Sequence, residues 1–161
     1  MAEPAVVNAS PLVFLTRVGL LQILRLAGEP VVVPRAVVDE IKQYGPADRT
    51  AAALRAAGWL KEVDPIPIPP AIETWDLGSG ETSVLAWAIA NPGSAAVLDD
   101  LAARRCAASL AIPVRGTLGL ILTAKRRGVI AEARPVLQRL RAAGMYLSDN
   151  VMERALKTVG E

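Results

Sequence analysis

Short, wholly apolar runs alternate along this chain with longer stretches of helical pattern. The clearest run is Ala95-Ala96-Val97-Leu98, which stops at Asp99-Asp100 and passes into Leu101-Ala102-Ala103-Arg104-Arg105. A parallel strand buried on both faces reads this way, and it delivers a polar residue to its C-terminal end, where open α/β sheets bind ligands. The chain opens in the same manner. Ala5-Val6-Val7 ends in Asn8, and Ala9-Ser10-Pro11 leads into a helical run. Further strands are predicted at residues 31–33, 59–63 and 112–114, with residues 146–147 extended. Helices are predicted at 11–15 and 20–26, broken near Gly19, and at 36–44. Another runs from an Asp48 N-cap to residue 57. The remaining helices are predicted at 81–90, 100–110, 118–127 and 133–143, and from Ser148 or Asn150 to about 159. Gly28, Gly58, Gly128 and Gly144 read as helix stops, Gly28 in the left-handed position after a helix. Pro65, Pro67, Pro69 and Pro70 make residues 64–70 an extended connection across the surface. Strands alternating with helices predict an α/β fold, a mainly parallel sheet with helices on both faces, in a single domain over 1–161.

Composition narrows the chemistry. At 161 residues with 52% hydrophobic but only 4% aromatic side chains, aliphatic packing of helices on a sheet is favoured over a β-sandwich. No apolar run reaches the ~18 residues of a membrane span. Met1-Ala2-Glu3-Pro4 lacks the basic region of a leader, and one cysteine permits no internal disulfide, so a cytoplasmic location is expected. The chain has no histidine, which excludes Ser-His-Asp, Cys-His and histidine acid–base catalysis. It also excludes a zinc site of the usual nitrogen and sulfur ligands. A metal here must sit on oxygen, which points to Mg²⁺ or Mn²⁺. Residues 1–100 carry 7 basic and 12 acidic side chains, a balance of −5, whereas residues 101–161 carry 11 and 4, a balance of +7. An acidic site beside a basic surface suits an enzyme acting on a polyanion, and Arg-rich helices that merely solvate their outer faces give the same count.

Asn8, Glu40, Glu81 and the pair Asp99/Asp100 each stand where an apolar element meets a turn or helix. Each also has a plain structural role open to it. Glu40 can be an exposed helix carboxylate. Glu81, in a first turn after Gly78-Ser79-Gly80, is favourable against the helix dipole. One of Asp99 and Asp100 can cap the next helix. Two adjacent acids exceed what a cap needs, and they repel unless a cation is near. Carboxylates converging within a few ångströms would hold a divalent ion that binds a phosphate oxygen and activates water. Cys106 and the scattered Trp59, Trp75 and Trp87 read as packing residues.

Taken in order, these stretches resemble the PIN-domain superfamily, and more closely a PIN-like subgroup of unknown function related to toxin ribonucleases. The matching segments are Val6-Val7-Asn8-Ala9-Ser10, Val33-Pro34-Arg35-Ala36-Val37-Val38-Asp39-Glu40, Gly80-Glu81-Thr82-Ser83, Leu98-Asp99-Asp100 with Arg104, Gly116-Thr117-Leu118-Gly119 and Ala124-Lys125-Arg126-Arg127-Gly128. The resemblance implies a five-stranded parallel sheet and a Mg²⁺- or Mn²⁺-dependent ribonuclease. It further implies the toxin-like part of a toxin–antitoxin pair, held by a small antitoxin-like protein, and a homodimer. Carried over by position, Glu40, Glu81 and Asp100 are metal-site and catalytic acids, with Asp99 a neighbour or substitute. Ser10, Thr117, Arg104 and Lys125 line the substrate. Asn8 departs from the pattern, because the superfamily places an acid there. Its amide oxygen can still face a hard cation, with one charge fewer. The alternative is therefore a non-catalytic PIN-like module that binds RNA or a protein. A phosphoacceptor receiver domain fits less well, since its acidic pair belongs to the first strand.

Overall fold

In a computed structural model of the chain, described over residues 3–161, the five predicted strands form one sheet. They are β1 (Ala5–Val7), β2 (Val31–Pro34), β3 (Leu60–Val63), β4 (Ala95–Val97) and β5 (Val114–Arg115). The order across the sheet is β3-β2-β1-β4-β5, and every pairing is parallel. Ala5 aligns with Val31 on one side and with Ala95 on the other. The chain thus winds outward from β1 to β3, then returns to β4 on the opposite flank of β1. The crevice where strand order reverses lies at the carboxyl ends of β1 and β4, beside Asn8 and Asp99. All three residues of β1 are fully buried. Because alternate strand residues point to opposite faces, both faces of this central strand are covered, as its unbroken hydrophobicity requires.

The helices are α1 (Ala9–Arg17), α2 (Arg35–Lys42), α3 (Arg49–Ala56), α4 (Pro70–Glu73), α5 (Ser79–Ala90), α6 (Leu101–Ser109), α7 (Thr117–Arg126), α8 (Arg134–Ala142) and α9 (Asp149–Lys157). A 3-10 helix at Leu21–Leu26 follows α1. The break expected near Gly19 is present, and Gly19 takes φ +72°. Asp48 caps α3 as expected, accepting hydrogen bonds from the Thr50 and Ala51 amides. Helix α5 lies across β1, β2 and β4 and so carries its first turn to the crevice.

Three expectations are corrected. Gly28 is not a left-handed stop. A side chain there would strike the Glu3 and Pro4 backbone, so the glycine serves close approach of two chain segments. The last strand begins later than residue 112. Ala111 adopts φ +56° and Pro113 has no amide hydrogen, so the ladder starts at the Pro113 carbonyl, which accepts from Ala96. Residues 146–147 join no strand. The proline-rich stretch is extended through Pro69, after which Pro70 opens the short α4, unforeseen but suited to a proline in a first turn. Met1-Ala2, read as lacking a leader signal, lie outside the described residues.

Candidate active site

Asn8 extends the ladder by one bond, its amide donating to Val97 O at 3.1 Å, and then caps α1 with its backbone alone. Its side chain is 4% exposed, and Oδ1 is buried with no hydrogen-bond partner. A methyl group on Gly80 would lie 2.8 Å from that oxygen. Two residues earlier, a methyl on Gly78 would lie 2.6 Å from Glu81 Oε2. The two glycines at the start of α5 therefore make room for the Asn8 amide and for the Glu81 carboxylate, which curls back over the helix N-terminus. A negative charge is favourable there.

Glu40 is half-buried on α2, while Asp39 beside it is exposed. Burial raises the Glu40 pKa above its ordinary value, and the Glu81 charge raises it further. Asp99 and Asp100 have different tasks, which their adjacency in sequence could not separate. Asp99 is fully engaged, accepting from Thr117 N at 2.8 Å and from Thr117 Oγ1 at 2.7 Å. It thereby ties the end of β4 to the start of α7 through a buried threonine. Asp100 caps α6, with Oδ2 accepting from Ala103 N at 2.9 Å. The capping role weighed for one of the pair is thus real, and it leaves Asp100 Oδ1 without a partner among the described residues. Arg104 donates to Leu98 O at 3.0 Å and lies across Gly116, where a side chain would collide with the guanidinium.

These groups surround two adjoining cavities. The larger, of about 850 Å³, is lined by Asp99, Asp100, Arg104 and Arg115. The smaller, of about 210 Å³, is lined by Glu40 and Tyr44. Asn8, Ser10, Phe14 and Glu81 line both and form the wall between them. The structure thus brings Asn8, Ser10 and Glu81 together, with Glu40 on one side and the aspartates on the other. Among the described residues no three acidic side chains converge on one point. The tight cluster expected from sequence is spread out because Asp99 is held by Thr117, Asp100 by α6, and Glu81 lies over Gly78. Thr117 is fully buried and acts through Asp99. Lys125 lies elsewhere. It is eight residues beyond Thr117, about 12 Å along the helix. There its ammonium donates to Ala131 O and faces Glu161 at 3.8 Å.

Phe14, Tyr44, Arg115 and Tyr146 line the cavities without having been anticipated. For two of them a signal existed: Phe14 follows Ser10 by four residues and Tyr44 follows Glu40 by four, the spacing of neighbours on one helix face. None of the three tryptophans lines either cavity, and Trp59 and Trp87 pack against the core. Cys106 is buried in the core, and burial raises its thiol pKa.

The donor set is one amide oxygen and carboxylate oxygens, with no histidine in the chain. A buried amide oxygen without a donor costs about 1–3 kcal/mol, and a hard cation would relieve it. These residues fit a Mg²⁺ or Mn²⁺ ion held by few protein oxygens and otherwise by water.

The chain matches the family model of a PIN domain over residues 4–161. No curated protein matches it at significant similarity. PIN domains are generally nucleases and typically use divalent metal ions. A crevice of oxygen donors at the carboxyl edge of a five-stranded parallel sheet is in keeping with that match, and the chain belongs to the PIN-domain family, a nuclease-like fold.

Proposed function

We propose that this chain is a Mg²⁺- or Mn²⁺-dependent endoribonuclease. In this reading it is the toxin-like member of a toxin–antitoxin pair, acting in the cytoplasm as a homodimer restrained by a small partner protein. One observation carries the catalytic part: the partnerless Asn8 oxygen and the Glu81 carboxylate share a wall between two cavities, with Glu40 and Asp100 on either side. Asn8, Glu81 and Asp100 would hold the ion, with Glu40 facing it across the wall. Bound there, the ion would neutralise a phosphate oxygen and lower the pKa of a bound water. Glu40, whose pKa burial raises, is suited to hold a proton near the reacting phosphate. Arg104 positions its charge on the wall of the larger cavity, where a phosphate oxygen would lie. The Asp99–Thr117 clamp keeps the β4 terminus and the α7 start in register.

Cleavage of RNA by wild type in Mn²⁺ or Mg²⁺ should fall by about 100-fold or more in both Asp100→Asn and Glu81→Gln. Mn²⁺ binding by calorimetry should weaken in parallel, with folding retained. Unchanged cleavage in both variants would sink the assignment.

Asn8 itself favours a second reading, a module that binds RNA without cutting it, because the amide lowers the charge available to a cation. RNA binding would then ignore Mg²⁺ and fall with salt. The discriminating variant is Asn8→Asp. With a chelator it should melt below wild type, since a buried carboxylate joins Glu81. Mn²⁺ should then raise its Tm more than that of wild type. Equal Mn²⁺ shifts in the two proteins would remove Asn8 from the cation site.

A further inference from the structure

Every phenylalanine and tyrosine in the chain stands on the walls of the two cavities: Phe14 between them, Tyr44 in the smaller, Tyr146 in the larger. Phe14 packs against the core, but the two tyrosines do not serve it. Tyr44 is 55% and Tyr146 91% exposed, in a protein whose interior is built almost wholly from aliphatic side chains. The wall between the cavities carries Asn8, Ser10 and Glu81, so the aromatic faces lie on opposite sides of the acidic centre. Cations accompany the larger cavity, where Arg115 stands with Arg104. With the divalent cation of the proposed function seated on that centre, a ligand matching this order has a flat apolar face, an anion, and a second flat face. A dinucleotide step within an unpaired strand has that sequence of groups. A duplex does not, because its bases already stack on one another.

We propose that Tyr44 with Phe14, and Tyr146, are the base-stacking residues of the groove, each holding one of the two bases that flank the reacting phosphate of a single-stranded RNA. The phosphate lies against the Asn8–Glu81 wall. This rests on the reading of the groove as a ribonuclease site and names how it selects its substrate. Stacking on a π-face tolerates any base, so the pair selects unpaired structure more than sequence. A protein partner on the same rings is the competing occupant. It is disfavoured because the two tyrosines are separated by the wall that carries Glu81, with Asp100 and Arg104 beyond it in the larger cavity, where an apolar protein surface would leave charges unpaired.

The test is fluorescence anisotropy in Mg²⁺ with a labelled, cleavage-resistant 2′-O-methyl phosphorothioate oligonucleotide of about eight nucleotides. It is compared with the same strand annealed to its complement and with a strand bearing abasic sites. Wild type should bind the single strand at least about five-fold more tightly than either control. Tyr44→Ala and Tyr146→Ala should each lose about five-fold or more, with Tyr44→Trp and Tyr146→Trp restoring it. Both rings are exposed, so truncation leaves the core intact, and circular dichroism checks this. Equal binding of duplex and single strand, or alanine variants that bind like wild type, overturns the proposal. So does a shift from dimer to monomer in these variants with RNA affinity unchanged, which assigns the rings to a protein interface. The two readings fail separately. Tyrosine-dependent binding without cleavage upholds stacking and removes the nuclease, whereas cleavage indifferent to both tyrosines does the reverse.

Discussion

Glu40 shows how one residue of the groove couples to stability. Its pKa is raised above the ordinary 4.5, first by burial and then by the charge on Glu81. The folded protein therefore binds this proton more tightly than the unfolded chain does. That advantage is complete below the unfolded value and is lost as pH rises through the folded one. Glu40→Gln is neutral throughout. In chelator it should be no more stable than wild type near about pH 4 and more stable near about pH 7, as read by urea unfolding. A gain present at the lower pH and absent at the higher would contradict this. Sequence carried part of the residue picture. Asn8, Glu40 and Glu81 stood out as polar groups where apolar elements end, and the structure seats Glu40 half-buried with Asp39 exposed beside it. What Asp99 and Asp100 each do was illegible, because it depends on a threonine eighteen positions away and on which carboxylate meets an amide.

At the scale of elements, Asp100 belongs to α6 as much as to the groove. Asn and Asp cap helices about equally well, whereas Ala costs about 1 kcal/mol. Asp100→Asn should thus unfold within about 0.5 kcal/mol of wild type, and Asp100→Ala about 1 kcal/mol lower, in chemical denaturation with chelator present. If both variants lose the same stability, the cap contributes nothing. The inner strands were legible because a parallel sheet buried on both faces demands unbroken apolar runs, and Ala95–Leu98 before Asp99 is such a run, whereas the edge strand β3 carries Lys61 and Glu62 exposed. The role of Gly28 was not, because nothing local announces that Glu3 passes over it. Nor was the late start of β5, which follows from the Ala111 turn.

For the molecule as a whole, the basic C-terminal third is in large part internal bracing. Arg134 pairs with Glu153 and Arg141 with Asp149, Arg139 donates to Val18 O, and Lys125 faces Glu161. The Glu161 carboxylate also accepts from the Ala133 and Arg134 amides, joining the end of the chain to the start of α8. Charge counting along the sequence could not see this, since it registers cations without their partners. The electrostatic footprint left to a polyanion at the groove is small, chiefly Arg104 and Arg115. Single-stranded RNA affinity should then fall only modestly with salt, about 0.7 in log–log slope per phosphate contact. Arg115→Ala should flatten that slope by about one such contact in anisotropy titrations across a salt series. A slope left unchanged would place Arg115 off the path of the strand.

The central position of β1 has a consequence for how the protein is made. Ala5 to Val7 leave the ribosome before either strand they pair with, and β2 can flank them after some thirty residues, but their other neighbour is Ala95–Val97. At about 5–20 residues per second, the most buried strand waits seconds with one hydrogen-bonding edge open. An open apolar edge is a template for foreign strands. The nascent first half is therefore the stage most in need of a chaperone, and a transcript cut short before β4 leaves a product that cannot close its own sheet.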